Sequence, residues 1–216
     1  MNGGTNLVEL IAQADERGLA ASGLACLDRC VPVLGCDEEI LRPLWSSLVD
    51  GEAWDERLKR VRAELDPGVR DSGTSGSDTS GSVGTASGTA SGTGPEGEAA
   101  ALARRMLATV PDRADAAGLR GWADACSVAA LRIHRLLDAS AATVAGEGGG
   151  GGPSNLREGR ADGASPLVAA ELRRQITVLE LLADHGAGGL RAALDLSTEG
   201  RRVLRAVVSR RARAAG

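Results

Sequence analysis

Phenylalanine and tyrosine are absent from this 216-residue chain, and its only aromatic side chains are three tryptophans. Its apolar content, 43% of residues, is therefore mostly alanine, leucine and valine. Such thin side chains fill a core only where backbones approach closely, which favours helices packed on helices. Lysine occurs once, at Lys59, against twenty-four arginines, and histidine occurs twice. Acid–base and Schiff-base chemistry thus has few groups to draw on, and an enzyme would need a site made of carboxylates or arginines alone. The alanine, glycine and arginine excess is the usage expected of a G+C-rich genome.

Long apolar runs are also missing. No charged segment followed by an apolar one opens the chain, and no stretch approaches the roughly 20 residues that span a bilayer. The sequence therefore predicts a cytoplasmic protein without a membrane partner, its four cysteines reduced. Absent too are G-x-x-x-x-G-K-[ST], G-x-S-x-G, H-E-x-x-H and C-x-x-C. G-x-G-x-x-G occurs at Gly146, Gly148 and Gly151, but a helix precedes it and Pro153 follows, the reverse of a dinucleotide site. No cofactor is expected.

What the chain does have is helical spacing between two breaks. Residues 67–97 are nearly all Gly, Ser and Thr with a local TASG repeat, a composition that cannot repay its ordering entropy and reads as a flexible, low-complexity linker. Residues 146–166 read as a Gly-rich loop, with Ser165-Pro166 suited to open the next helix. The linkers divide the chain into an acidic N-terminal block (1–66), a central block (98–145) and a C-terminal block (167–216).

In the first block Leu7 and Ile11 mark a helix capped by Thr5 or Asn6; Leu24, Leu27 and Val31 a second, ended by Pro32; Leu41, Leu44, Trp45 and Leu48 a third. Trp54, Leu58, Val61 and Leu65 form a continuous seam on a fourth. The central block offers a helix around Leu102, Met106 and Val110, then a stripe of Trp122, Cys126, Ala129, Ile133 and Leu136. In the last block Val168, Leu172, Gln175, Leu179 and Leu182 share a face that ends near Gly186, a candidate left-handed cap. Residues 190–195 add a turn, and Ser197 or Thr198 is expected to cap a final helix with Val203, Leu204, Val207 and Val208 inward. The expectation is an all-α fold: an irregular bundle of roughly seven to nine helices interrupted by long disordered linkers. Whether residues 67–97 separate two domains or leave and rejoin one bundle stays open.

Three features are candidate sites. Cys26, Cys30 and Cys36 lie close in sequence, but C-x3-C-x5-C fits a zinc or iron–sulfur motif poorly, and cysteines four apart on a helix are too far for a disulfide. With Leu24, Leu27 and Val31 inward, Cys26 and Cys30 fall about 95 to 135° round the helix, on its flank. The preferred reading is packing, with a thiol or metal sensor as a minor alternative. Cys126 belongs to the Trp122 stripe and reads as core. His134 and His185 have no sequence-evident nucleophile or carboxylate companion.

The third feature is charge. Residues 1–66 carry 7 basic and 13 acidic residues, whereas residues 190–216 carry 7 and 2. Arg201, Arg202, Arg205, Arg210, Arg211 and Arg213 could meet nucleic-acid phosphates, yet they equally suit docking on the acidic block of the same chain or of a partner. The seams Trp54–Leu58–Val61–Leu65 and Trp122–Ile133–Leu136 are the candidates for helix–helix contact, with internal core as their simpler role. These features predict a non-enzymatic adaptor, scaffold or regulatory subunit acting through a protein partner or self-association. A DNA-associated regulator is the second reading.

Overall fold

A computed structural model of the chain describes residues 6–65, 94–112, 115–138, 153–159 and 163–215. Among them every regular element is helical and no strand occurs. In order these are α1 (Leu7–Gln13), α2 (Glu16–Cys30), a 3-10 turn (Val31–Val33), α3 (Arg42–Asp50), α4 (Trp54–Leu65), α5 (Pro95–Ala108), α6 (Ala116–Leu137), α7 (Pro153–Arg157), α8 (Pro166–His185), a second 3-10 turn (Gly186–Gly189) and α9 (Leu190–Ala215).

Local chemistry sets most of the boundaries. Asn6 caps α1 by accepting from Val8 N and Glu9 N, Asp15 caps α2 and Asp115 caps α6 through the third residue of each helix. Ser165 accepts from Val168 N, and Pro166 takes the first helical position of α8, where no donor is needed. Gly51, at φ +74° and ψ 13°, supplies the left-handed cap of α3.

Helix α2 is the centre of the bundle. It packs against α6, α8 and α9, with α3 and α5 completing its surroundings, and Gly18 to Val31 are buried without interruption. Close approach explains how so alanine-rich a helix anchors the fold. A Cβ on Gly23 would lie 2.5 Å from Trp122 Cζ3, so the indole lies directly on the α2 backbone. The indole N–H of Trp122 donates to Met106 O at 2.9 Å and ties α6 to α5. Buried residues from all three sequence blocks share one hydrophobic core. No described helix is long and apolar enough to cross a membrane.

Several sequence expectations are corrected. Helix α5 starts at Pro95, inside the segment read as linker, and α7 lies inside the segment read as a Gly-rich loop; residues 67–93, 139–152 and 160–162 fall outside the described residues. No helix begins at Ser197 or Thr198. Helix α9 runs unbroken from Leu190, and the Ser197 hydroxyl donates back to Ala193 O at 2.8 Å, the alternative open to a serine inside a helix. Gly186 does end α8 at positive φ, but its ψ of −129° lies outside the left-handed helical region. On α9 only Leu204 of the four expected inward residues is fully buried; Val203, Val207 and Val208 are half-buried.

Candidate functional site

The cysteine-bearing stretch is core. Cys26 and Cys30 are 1% and 0% exposed, because the flank of α2 on which they lie is covered as fully as its inward face. Burial pushes the Cys26 thiol up to about 12, Arg29 offsetting it only in part, and burial likewise drives Cys30 and Cys126 well above the ordinary thiol value. A thiol held protonated is a poor nucleophile and a poor metal ligand. Cys36 sits beyond the 3-10 turn and is half-buried. The three are not gathered as a ligand set: among the described residues no group of three or more His, Cys, Asp or Glu could hold a metal ion.

Beside these thiols lies a polar cluster that sequence reasoning missed. Arg29 on α2 is wholly buried and grips Glu171 on α8 with two bonds, Nε to Oε2 at 2.8 Å and Nη2 to Oε1 at 2.7 Å. Gln175, one turn along, donates to Glu171 Oε1 at 2.8 Å, and Ser127 on α6 donates to Gln175 Oε1 at 2.7 Å. Arg29 Nη2 also reaches Cys26 Sγ at 3.5 Å. Burial raises the Glu171 carboxyl, but the Arg29 guanidinium and the hydrogen bonds donated by Arg29 and Gln175 outweigh it and hold the group below the ordinary carboxylate range. His134 Nδ1 donates to Ala130 O at 2.8 Å, leaving Nε2 3.5 Å from Glu171 Oε2 without a hydrogen bond. Burial depresses the imidazole more than Glu171 raises it, so His134 is neutral at pH 7. The one hint in the sequence was Gln175, the polar member of an otherwise apolar stripe.

The C-terminal arginines are largely committed to the chain's own carboxylates. Arg201 is buried and pairs with Asp28 at 2.9 Å, with Glu39 at 3.4 Å and with Glu38. Arg205 also pairs with Glu38, Arg211 with Glu96 at 2.6 Å, and Arg202 with Glu199 at 3.7 Å on its own helix. Arg210 and Arg213 are exposed and make no ion pair with a described residue. Opposite charge at the two ends of the sequence thus serves to dock α9 on the acidic N-terminal region, leaving few cations for phosphate.

The tryptophan seams likewise face inward. Leu58, Val61, Trp122 and Ile133 are buried in the shared core, with Trp54, Leu65 and Leu136 packed on its edge. Trp54 donates its indole N–H to Pro111 O at 2.9 Å, and Arg62 donates to Val110 O at 2.7 Å, so α4 closes over the end of α5. Among the described residues the Trp54 seam is taken up by the fold, whereas Trp122 of the second seam also borders open space.

What is open is a trough of about 300 Å³ between α5 and α6. The two helices run antiparallel, since Met106 meets Trp122 and Glu98 meets Arg132. Leu102, Met106, Trp122 and Cys126 form the floor, and Arg105 and Thr109 stand on the α5 side. On the α6 side Ala117, Gly121, Ala125 and Ala129 recur every four residues. The first three are exposed and Ala129 is half-buried, so they form one row about 18 Å long. A Cβ on Gly121 would meet nothing within 4 Å, so the fold itself does not require glycine there. Comparison with protein-family models, with curated proteins and with solved structures finds no match for this chain.

Proposed function

We propose that this is a non-enzymatic, cytoplasmic interaction protein, an adaptor or regulatory subunit, that receives a helix of a protein partner in the α5–α6 trough. The observation that carries the reading is Gly121. A glycine inside a long helix costs about 1 kcal/mol relative to alanine, and here no described residue exploits the missing side chain. A row of small residues at spacing four lets another helix approach closely, since i±4 rows are the ridges that interdigitate when helices cross. Arg105 lines the trough and has no carboxylate partner among the described residues. The fitting partner helix therefore carries small or apolar residues on one side and a carboxylate at its margin. The DNA-associated reading draws less support, because among the described residues four of its six arginines, all but Arg210 and Arg213, are engaged in ion pairs.

A photo-reactive side chain placed at Ala125, exposed and facing the trough, tests this in the native cell. The expected product is a crosslink to a helical segment of another protein, lost when Gly121 is replaced by tryptophan. Crosslinks only to a second copy of this chain, only to a small molecule, or unaffected by Gly121→Trp would overturn the reading.

A further inference from the structure

We infer that the core of the protein binds one small inorganic anion, of halide size, between the guanidinium groups of Arg29 and Arg174. Arginine donates five N–H groups and accepts none. Glu171 uses both oxygens on Arg29 Nε, Arg29 Nη2 and Gln175 Nε2. This leaves Arg29 Nη1 and Arg174 Nη1, two enclosed atoms without an acceptor among the described residues, Arg29 being wholly buried and Arg174 half-buried. The two side chains converge over one point on α9: a Cβ on Gly200 would collide with Arg29 Cδ and stand 3.1 Å from Arg174 Cδ. Their stems are therefore a few ångströms apart, close enough for each cation to feel the other.

Charge decides what sits between them. Arg29 is neutralised by Glu171, while the other carboxylate facing Arg174 is Glu199, which is exposed and engages Arg202 at 3.7 Å. Neutral His134 presents a lone pair at Nε2 and adds neither charge nor donor. Arg174 is half-buried, and a partly desolvated cation without a close counter-charge is still costly. A water molecule would accept from both N–H groups yet leave the excess charge, whereas a monovalent anion meets both needs. Gly200 makes the convergence sterically feasible, because any side chain there would displace Arg29.

The inference concerns the core between α2, α8 and α9 and is independent of the trough. It is tested with bromide and chloride as the probes, replacing gluconate at constant ionic strength and pH. The folding equilibrium constant of the wild-type chain is expected to rise about tenfold for each tenfold increase in halide above its Kd, and Arg174→Gln, which keeps most of the stem, is expected to abolish the rise. Crystals grown in bromide should show an anomalous peak within hydrogen-bonding distance of Arg29 Nη1 and Arg174 Nη1. Stability indifferent to the identity of the anion, an unchanged halide response in a folded Arg174→Gln variant, or a site holding only water in bromide would each overturn it. Should Arg174→Gln fail to fold, the bromide measurement on the wild-type chain decides alone.

Discussion

Replacing Glu171 by methionine removes one half of a fully buried ion pair and leaves Arg29 charged in the core. Breaking such a pair from one side costs about 3–5 kcal/mol, because the surviving charge is neither solvated nor paired. Gln175 Nε2 would lose its 2.8 Å acceptor as well, a further cost of about 1 kcal/mol. Against a total stability of about 5–15 kcal/mol for a domain of this kind, the single variant gives up a large share. Arg29→Met should cost a similar amount, since Glu171 would keep only Gln175 and a neutral His134. The double variant Arg29→Met/Glu171→Met removes both charges and fills the space with apolar atoms, so it should lie within about 1–2 kcal/mol of the wild type or above it. Urea unfolding followed by the fluorescence of Trp45, Trp54 and Trp122 measures all four corners of the cycle. Single variants costing under about 1 kcal/mol, or a double variant as unstable as the two singles added together, would refute the view that this pair is a strongly coupled element of the core.

Three further outcomes are expected. Gly23→Ala should lower stability by about 1–3 kcal/mol in the same urea experiment, since its Cβ would collide with a buried indole. A thiol reagent should leave Cys26, Cys30 and Cys126 unlabelled until the chain unfolds, with Cys36 reacting first, as counted by mass spectrometry. Burial pushes the Asp28 carboxyl up to about 6 despite the opposing Arg201 guanidinium. A folded value above the unfolded one near 3.9 gives stability that is present in full below about pH 4 and lost as pH rises through 6. The wild type should accordingly gain up to about 3 kcal/mol over Asp28→Asn between pH 7 and pH 4, read as the shift in urea midpoint; a difference flat across that range would refute the assignment.

Much of this architecture was legible in the sequence, and the parts that were not share a physical cause. Helices α4, α6 and α8 follow from apolar residues three and four apart, and Asn6 and Ser165-Pro166 mark ends by chemistry local to a few residues. Burial of Asp28 and Arg29 was not legible. Their partners, Arg201 and Glu171, lie 173 and 142 residues away, and the periodicity of α2 alone gives no reason to bury charge. The same holds for Cys26 and Cys30: spacing places them on the flank of α2, but only the position of α2 at the centre covers that flank. Ser197 misled because serine caps helices well, yet it also bonds back one turn inside them, and Leu190 to Leu196 carries no breaker. The trough was invisible for the opposite reason. Its residues are alanine and glycine, too small to register as an apolar stripe, and they matter through the space they leave.

The most direct test of the proposed working surface is affinity capture from the native host with wild-type and Gly121→Trp baits, paired with the thermal midpoint of each. The side chain at 121 enters open space, so the account predicts an unchanged or raised midpoint together with loss of a specific protein partner whose binding protects residues 102–109 and 117–129 from hydrogen exchange. Identical partners on both baits, or protection confined to other helices, would contradict it.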